Sequence, residues 1–177
     1  GLAAQLRGDL AEAESYLELA LRELADVGET AEWLMASFEY AVVLSLDGRS
    51  AEASAVSTSA LAVCRQRGER WARSYLKWSQ GLDHWLQGDF TAAHATALDA
   101  LRDHRVFDPS LGTALMTELL AWIAGSTGQF EHAAQLIGAS RSLWRRTGTE
   151  LVASGPKPTG YHSPSRGLLG QAIAPRA

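Results

Sequence analysis

Five histidines and one cysteine are the side chains in this sequence with the widest chemical use. The cysteine is Cys64, and the histidines are His84, His94, His104, His132 and His162. A zinc site built on a helix needs two histidines on one face, as in a His-x-x-x-His pair. These spacings place no two histidines on one face of a single helix. The pattern therefore predicts no metal site.

The sequence offers no stronger candidate for nucleophilic catalysis than it does for a metal site. The sequence lacks a Gly-x-Ser-x-Gly elbow, and Gly125-Ser-Thr-Gly128 falls at a turn. We expect Cys64 to lie on the inward face of a helix, where a buried thiol behaves as a small apolar side chain. A single cysteine allows no intramolecular disulfide, which is usual in the reducing cytoplasm. We therefore predict a cytoplasmic protein that is not an enzyme and binds no cofactor.

Composition and charge are those of an ordinary globular chain. Of the 177 residues, 46% are hydrophobic and 20% are charged, and the net charge is −4. That charge predicts no nucleic-acid partner, and no apolar run reaches the roughly 20 residues of a membrane helix. Residues 1–52 carry eleven acids and three arginines, a net of −8. The simplest interpretation is solvated acidic helix faces, and the alternative is electrostatic contact with a basic partner surface.

A 40-residue repeat organises the sequence. Its first sign is a glycine at every fortieth position: Gly8, Gly48, Gly88 and Gly128. A second turn follows each glycine about half a repeat later, at Gly28, Gly68, Asp108-Pro109 and Gly148. Two turns in every repeat leave segments of about 17 residues, a length typical of helices and long for strands.

Small residues recur in the same register and indicate where helices pack. One column is Ala13, Ala53, Ala93 and Ala133, and a second is Ala20, Ala60, Ala100 and Ser140. The columns are seven residues apart, about two helical turns, so they share one face. Asp9, with Glu12, and Asp89 are predicted N-caps. First helices are predicted at about 30–46, 70–87 and 110–126, and second helices at 9–27, 50–67, 90–106 and 130–147.

Helix pairs of this kind bury their apolar faces only by stacking, so the predicted fold is an all-α solenoid. The repeat domain is predicted at residues 1–148, with a partial repeat at 1–28 and complete repeats at 29–68, 69–108 and 109–148. Residues 149–177 are rich in Pro, Gly and Ser and are predicted to form a tail or linker. Because Gly1 falls inside a predicted helix, we expect the chain to be a piece of a longer protein.

The repeat resembles a known family. Gly8-Asp-Leu-Ala-Glu-Ala13-Glu-Ser-Tyr-Leu17-Glu-Leu-Ala20 looks like the second helix of a tetratricopeptide repeat, and Gly88-Asp-Phe90-Thr-Ala-Ala93 and Gly128-Gln-Phe130-Glu-His-Ala133 are similar. The resemblance implies a right-handed α-α superhelix with the first helices on its concave side. The period is longer than the roughly 34 residues usual for this repeat and is similar to that of large bacterial regulators.

The last repeat resembles the closing repeat of LuxR-type and AfsR-type transcriptional regulators. It reads Phe130-Glu-His-Ala-Ala-Gln-Leu-Ile-Gly138-Ala-Ser-Arg-Ser-Leu-Trp144-Arg-Arg-Thr-Gly148-Thr. Such regulators typically join an ATPase, a helical solenoid and often a helix-turn-helix. This chain has no Gly-x-x-x-x-Gly-Lys-Ser/Thr loop and no DNA-reading helix flanked by basic residues. The resemblance therefore implies an interaction arm without ATPase activity or DNA contact of its own.

Aromatic residues concentrate in the first helices, on the side that the resemblance makes concave. The predicted groove consists of Met35, Phe38, Tyr75, Trp78, Trp85, Glu118 and Trp122. Such a groove suits an extended peptide, a partner helix or a small effector, with Lys77 and Glu118 as polar contacts. The competing interpretation is that the rings fill contacts between helices. We favour helix contacts for Trp33 and Trp71, and the groove for Trp78 and Trp85.

Three arginines, Arg141, Arg145 and Arg146, surround Trp144 in the last predicted helix. The simplest interpretation is a solvated face, and the alternative is docking of a following domain or partner through the arginines. An exposed end of the stack also predicts a homodimer through a solenoid end.

The predicted function is that of a helical-repeat module that binds a protein, a peptide or a small effector within a LuxR-type regulator. Two alternatives stay open. One is a scaffold from another bacterial signalling protein, such as a cyclase or kinase, and the other is a sensor of a sugar or metabolite.

Overall fold

The structure, a computed structural model, describes residues 1–107 and 111–146. This part of the chain contains eight α-helices and no strand. The helices are α1 (Leu2–Arg7), α2 (Leu10–Ala25), α3 (Ala31–Leu46), α4 (Ser50–Arg67), α5 (Trp71–Leu86), α6 (Phe90–His104), α7 (Leu111–Ser126) and α8 (Phe130–Arg146). The seven helices that the repeat predicts are confirmed to within about two residues at each end.

The described residues form two compact units, one from Gly1 to His104 and one that begins at Arg105. The first contains α1 to α6, and the described helices of the second are α7 and α8. The predicted break at Asp108-Pro109 and the predicted tail at 149–177 lie outside the described residues. The prediction of one repeat domain over 1–148 stays a prediction.

One turn geometry ends each first helix of a pair. Gly8, Gly48, Gly88 and Gly128 have φ angles of 81°, 80°, 81° and 79°. This left-handed conformation costs glycine little because glycine has no Cβ. In each case the next residue donates its N–H to the carbonyl five residues earlier, as Arg49 does to Leu44 at 2.9 Å and Asp89 to His84 at 3.0 Å. The recurring glycine is therefore a helix terminator with a fixed shape.

Side-chain caps begin the helices that follow two of these turns. The Asp9 carboxylate accepts a hydrogen bond from the Glu12 N–H at 3.0 Å, and that of Asp89 accepts one from the Ala92 N–H at 2.9 Å. Both predicted N-caps are confirmed, and each satisfies a backbone donor that the first turn leaves open.

The core of the first unit is built by helices that pack on their neighbours in sequence and by α3 packing on α5. α5 lies against α3, α4 and α6, and α3 also packs on α2 and α4. Leu34, Leu44 and Leu76 are buried in these helices. The column of small residues is buried as well: Ala13, Ala53 and Ala93. Small side chains at these points let the helix axes approach closely.

In the second unit, α7 and α8 form a hairpin. Most of α7 is buried, with Met116 and Leu119 inaccessible to solvent. Ala133 and Ser140 bring α8 against it, and the Ser140 hydroxyl donates to the Ala114 carbonyl at 3.1 Å. None of the described helices has both the length and the apolar character of a membrane-spanning segment.

Candidate functional site

Three of the predicted groove residues form one aromatic cluster between α3 and α5. The Phe38 ring lies 5.4 Å from that of Tyr75 and 6.0 Å from that of Trp78, measured between centroids. Both contacts are edge-to-face, an arrangement that the ring quadrupoles favour. Trp71 adds to the cluster at one end, 5.0 Å from Tyr75. The structure thus brings together aromatic residues from equivalent helices of two successive repeats.

The three groove rings of this cluster are buried, whereas Trp71 at its end is 37% exposed. Phe38, Tyr75 and Trp78 are between 5% and 7% exposed, and Trp85 is 8% exposed. Met35 is half-buried. These five side chains therefore contribute chiefly to helix packing in the conformation described, and a groove for a ligand along them stays a prediction.

The remaining two predicted groove residues belong to the second unit. Trp122 is 8% exposed and lies on α7 beside the fully buried Ala121. Glu118, one turn earlier, is half-buried. Lys77 is the other predicted polar contact of the groove. Its ammonium instead forms salt bridges with Asp99 at 2.6 Å and Asp103 at 2.8 Å.

A charge network between α5 and α6 was not predicted from the sequence. Arg73 binds Asp103 through two hydrogen bonds of 2.8 Å and 2.6 Å, and Lys77 bridges Asp103 and Asp99. Burial alone raises the pKa of Asp103, but the hydrogen bonds from Arg73 and Lys77 outweigh it and leave that pKa below its usual value. The only sequence signal was opposite charge on paired helices, Arg73 and Lys77 against Asp99 and Asp103.

His104 ends α6 in a fully buried position. Its Nδ1 lies 3.0 Å from the Ser74 hydroxyl, and its ring packs edge-to-face on Tyr75 at 5.6 Å. Burial lowers the pKa of His104 because the charged imidazolium loses solvation. Cys64 is also fully buried, as expected, and burial is the largest cause that raises its pKa to about 11. A thiol of this kind is a poor nucleophile at neutral pH.

A small polar cavity lies between α3, α4 and α5. It encloses about 30 Å³, and Ser57, Ser79, Asp83 and His84 are among the residues that line it. Asp83 is buried and accepts hydrogen bonds from the Ser50 hydroxyl at 2.7 Å and the Gln87 amide at 2.6 Å. This space is large enough for about one water molecule. It is too small for a metabolite.

The predicted basic patch is exposed on α8. Arg141, Arg145 and Arg146 are all open to solvent, and none forms an ion pair with any residue in the described part of the chain. Trp144 beside them is half-buried. Phe130, at the start of the same helix, is 57% exposed at an open surface depression of about 610 Å³ that His132 and Gln135 also line.

Comparisons with protein-family models, curated proteins and solved structures found no match to this chain. Function therefore has to be inferred from the residues and their geometry. Within 1–107 and 111–146, no group of three or more His, Cys, Asp or Glu side chains is arranged to hold a metal ion.

Proposed function

We propose that the chain is a helical-repeat interaction module, a right-handed superhelix of tetratricopeptide type. The observation that carries the proposal is the nearly identical backbone conformation at the four turn glycines: Gly8, Gly48, Gly88 and Gly128. Equal turns at equal spacing produce equal helix pairs. Within the first unit, α3 packs on α5 while each also packs on its own second helix, as stacked repeats do. Repeats of this kind serve mainly as extended binding surfaces.

The partner that this geometry favours is a polypeptide. A small effector is usually enclosed in a pocket of about 300 Å³ or more. The cavity at Ser57 and Asp83 is far smaller, and the Phe38 and Trp78 rings fill the space between α3 and α5. The depression of about 610 Å³ at Phe130 is larger, but it is open to solvent and would not enclose a small molecule. Exposed helix faces suit a partner helix or extended segment instead.

The proposed setting is a LuxR-type transcriptional regulator of the bacterial cytoplasm. The closing segment from Phe130 to Gly148 supports it, through its resemblance to the last repeat of such regulators. In that setting the module senses or assembles, and the ATPase and DNA-binding steps belong to other domains. A scaffold from another signalling protein would share the same repeats and differ only in those domains.

The coding sequence on both sides of these residues tests the setting. A LuxR-type regulator requires a phosphate-binding loop upstream or a helix-turn-helix downstream. A gene with neither contradicts the regulator and leaves the repeat module in place.

Binding tests the module itself. The domains encoded beside it are produced separately and titrated against the purified chain by calorimetry. We expect a complex with a Kd in the micromolar range or tighter, with heat that depends on the intact repeat. If no such domain and no peptide from the same gene product binds, the interaction role is wrong.

A further inference from the structure

A buried polar cluster interrupts the apolar core of the first unit. It consists of Ser45 on α3, Ser57 on α4, and Ser79 and Asp83 on α5, all of them buried. These four side chains line the cavity of about 30 Å³ between the three helices. The helices belong to two successive repeats, and each of them packs on the other two. The cluster therefore lies where one repeat stacks on the next.

Two members of the cluster stand at register positions where other repeats have apolar residues. Asp83 corresponds to Val43 and Ile123, one repeat before and one repeat after it, and both are buried. Ser57 corresponds to the buried Ala97. The repeat therefore needs neither a carboxylate nor a hydroxyl at these positions in order to fold. A polar group in a place that an apolar one fills elsewhere indicates a further role.

Asp83 is a buried carboxylate without a cationic partner. Its Oδ2 accepts hydrogen bonds from the Ser50 hydroxyl at 2.7 Å and from the Gln87 amide at 2.6 Å. Within 1–107 and 111–146, Oδ1 accepts no hydrogen bond and neither oxygen forms an ion pair. Two neutral donors compensate only part of the cost of taking a carboxylate out of water. A cation bound to Oδ1 would compensate more of it.

The three serine hydroxyls of the cluster offer oxygen lone pairs rather than protons. A hydroxyl has a single proton to donate. Ser45 donates its proton to the Ala41 carbonyl at 2.9 Å, and Ser79 donates its own to the Leu76 carbonyl at 2.8 Å. In the 3.4 Å pair of the Ser57 and Ser79 hydroxyls, Ser57 is therefore the donor. Acceptor oxygens beside a carboxylate suit a cation and disfavour an anion.

The size of the cavity and the type of its ligands select a monovalent cation. Mg²⁺ usually keeps several of its waters, and a space for about one water molecule cannot hold them. Ca²⁺ takes roughly six to eight oxygen ligands, commonly with several carboxylates, and this cavity has one. Zn²⁺ prefers nitrogen and sulfur.

We infer that the cavity binds Na⁺ or K⁺, with Asp83 Oδ1 and the hydroxyl oxygens of Ser45, Ser57 and Ser79 as ligands. The ion holds α3, α4 and α5 together, so it stabilises the stacking of one repeat on the next. Histidine and cysteine spacing predicted no metal site, because the ligands of this one are a single carboxylate and hydroxyls from three helices. The inference goes beyond the proposed function and does not depend on the partner.

Thermal denaturation of the full chain tests the site in NaCl, KCl and choline chloride at equal concentration. Choline is too large for the cavity, and equal ionic strength keeps the screening of surface charges the same. We expect Tm to rise saturably in NaCl or KCl above its value in choline chloride. The rise should be about 3 °C when the bound ion is at tenfold its Kd. The salt with the larger rise identifies the better ligand.

Asp83→Asn should abolish the difference between alkali and choline salts, because it removes the charge and keeps the size of the side chain. Asp26→Asn is the matched control, since it removes the same charge at an exposed position of α2 and should keep the difference. If Asp83→Asn does not fold, the Ser57→Ala/Asp83→Val double variant replaces it. That variant copies Ala97 and Val43 of the other repeats, so it should fold and show one Tm in all three salts.

Equal Tm values of the unchanged chain in choline chloride and in both alkali chlorides overturn the inference. So does a rise in alkali salts that survives the loss of the Asp83 carboxylate, or one that Asp26→Asn also loses. These outcomes leave the proposed function untouched, since binding of the neighbouring domains is measured separately.

Discussion

Arg73 on α5 holds Asp103 on α6 through two parallel hydrogen bonds, Nε to Oδ2 at 2.8 Å and Nη2 to Oδ1 at 2.6 Å. The Asp103 side chain is only 10% exposed, so this carboxylate has exchanged water for arginine and for Lys77. Paired geometry of this kind compensates the loss of solvation that burial imposes. The pair fixes how the two helices of one repeat lie against each other.

Asp103→Ala should lower the free energy of unfolding by about 2–3 kcal/mol, because it leaves Arg73 and Lys77 without their buried partner. Urea denaturation followed by circular dichroism measures the loss. Asp99→Ala is the matched control. Its side chain is 50% exposed, so we expect a loss of about 1 kcal/mol or less. Equal losses of unfolding free energy in the two variants would show that the buried Arg73–Asp103 pair stabilises the fold no more than the exposed Asp99 contact does.

Protonation of His104 should couple stability to pH. Burial lowers its pKa in the folded state from the ordinary 6.5, so the unfolded chain binds this proton more readily. The stability that neutral, buried His104 contributes to the fold is fully present above about pH 6.5. It is lost as the pH falls from there towards the lower, folded-state pKa. The slope is no more than about 1.4 kcal/mol per pH unit.

Urea denaturation between pH 7.5 and about 5 measures this slope, and His104→Gln should reduce it. The exposed His94, changed to Gln, serves as the control and should leave the slope as it is. A His104→Gln variant with the full slope would mean that another group is responsible.

A side chain at one of the turn glycines should destabilise the folded chain. Gly88→Ala places a Cβ at a φ of 81° and should cost about 1–2 kcal/mol of unfolding free energy. Gly138 provides the opposite case, since it lies inside α8 with no atom within 4 Å of a new Cβ. Gly138→Ala should stabilise by about 0.5–1 kcal/mol. Thermal denaturation of both variants decides the matter, and a stabilised Gly88→Ala would contradict the turn geometry.

Truncation of Trp78 tests whether this side chain serves helix packing or ligand binding. It is 5% exposed and packs against Phe38, so Trp78→Ala should lower the free energy of unfolding by about 3–5 kcal/mol. Trp71→Ala, at a position 37% exposed, should cost clearly less when both are measured by urea denaturation. A Trp78→Ala chain as stable as the unchanged one would instead favour the predicted groove.

Local chemistry explains why the helices could be predicted from the sequence. Glycine at positions such as 48 and 88 ends a helix through its own backbone, and the Asp89 side chain begins one within three residues. Neither depends on the rest of the fold. The small-residue column, Ala53 and Ala93 among it, adds the packing face by simple periodicity.

The candidate site was harder to predict from the sequence than the helices were, because the burial of a side chain depends on residues of the neighbouring helices. Trp78 shares the register of the column that was predicted to be concave, but its exposure depends on the Phe38 ring of the preceding repeat. Likewise, the pairing of Arg73 with Asp103 depends on distances between α5 and α6 that composition does not contain. Register identifies equivalent positions, and neighbouring side chains then decide which of them are exposed.

The regularity of the repeat is the central claim, and distances between equivalent positions test it most directly. Ser15, Ala55 and Ala95 are exposed at the same position of successive repeats, on α2, α4 and α6 of the first unit. Each is replaced by cysteine in pairs, in a Cys64→Ala background, and spin-labelled for pulsed electron resonance. The account predicts that the 15–55 and 55–95 distances agree within the width of their distributions. Two clearly different distances would contradict a regular helical-repeat stack.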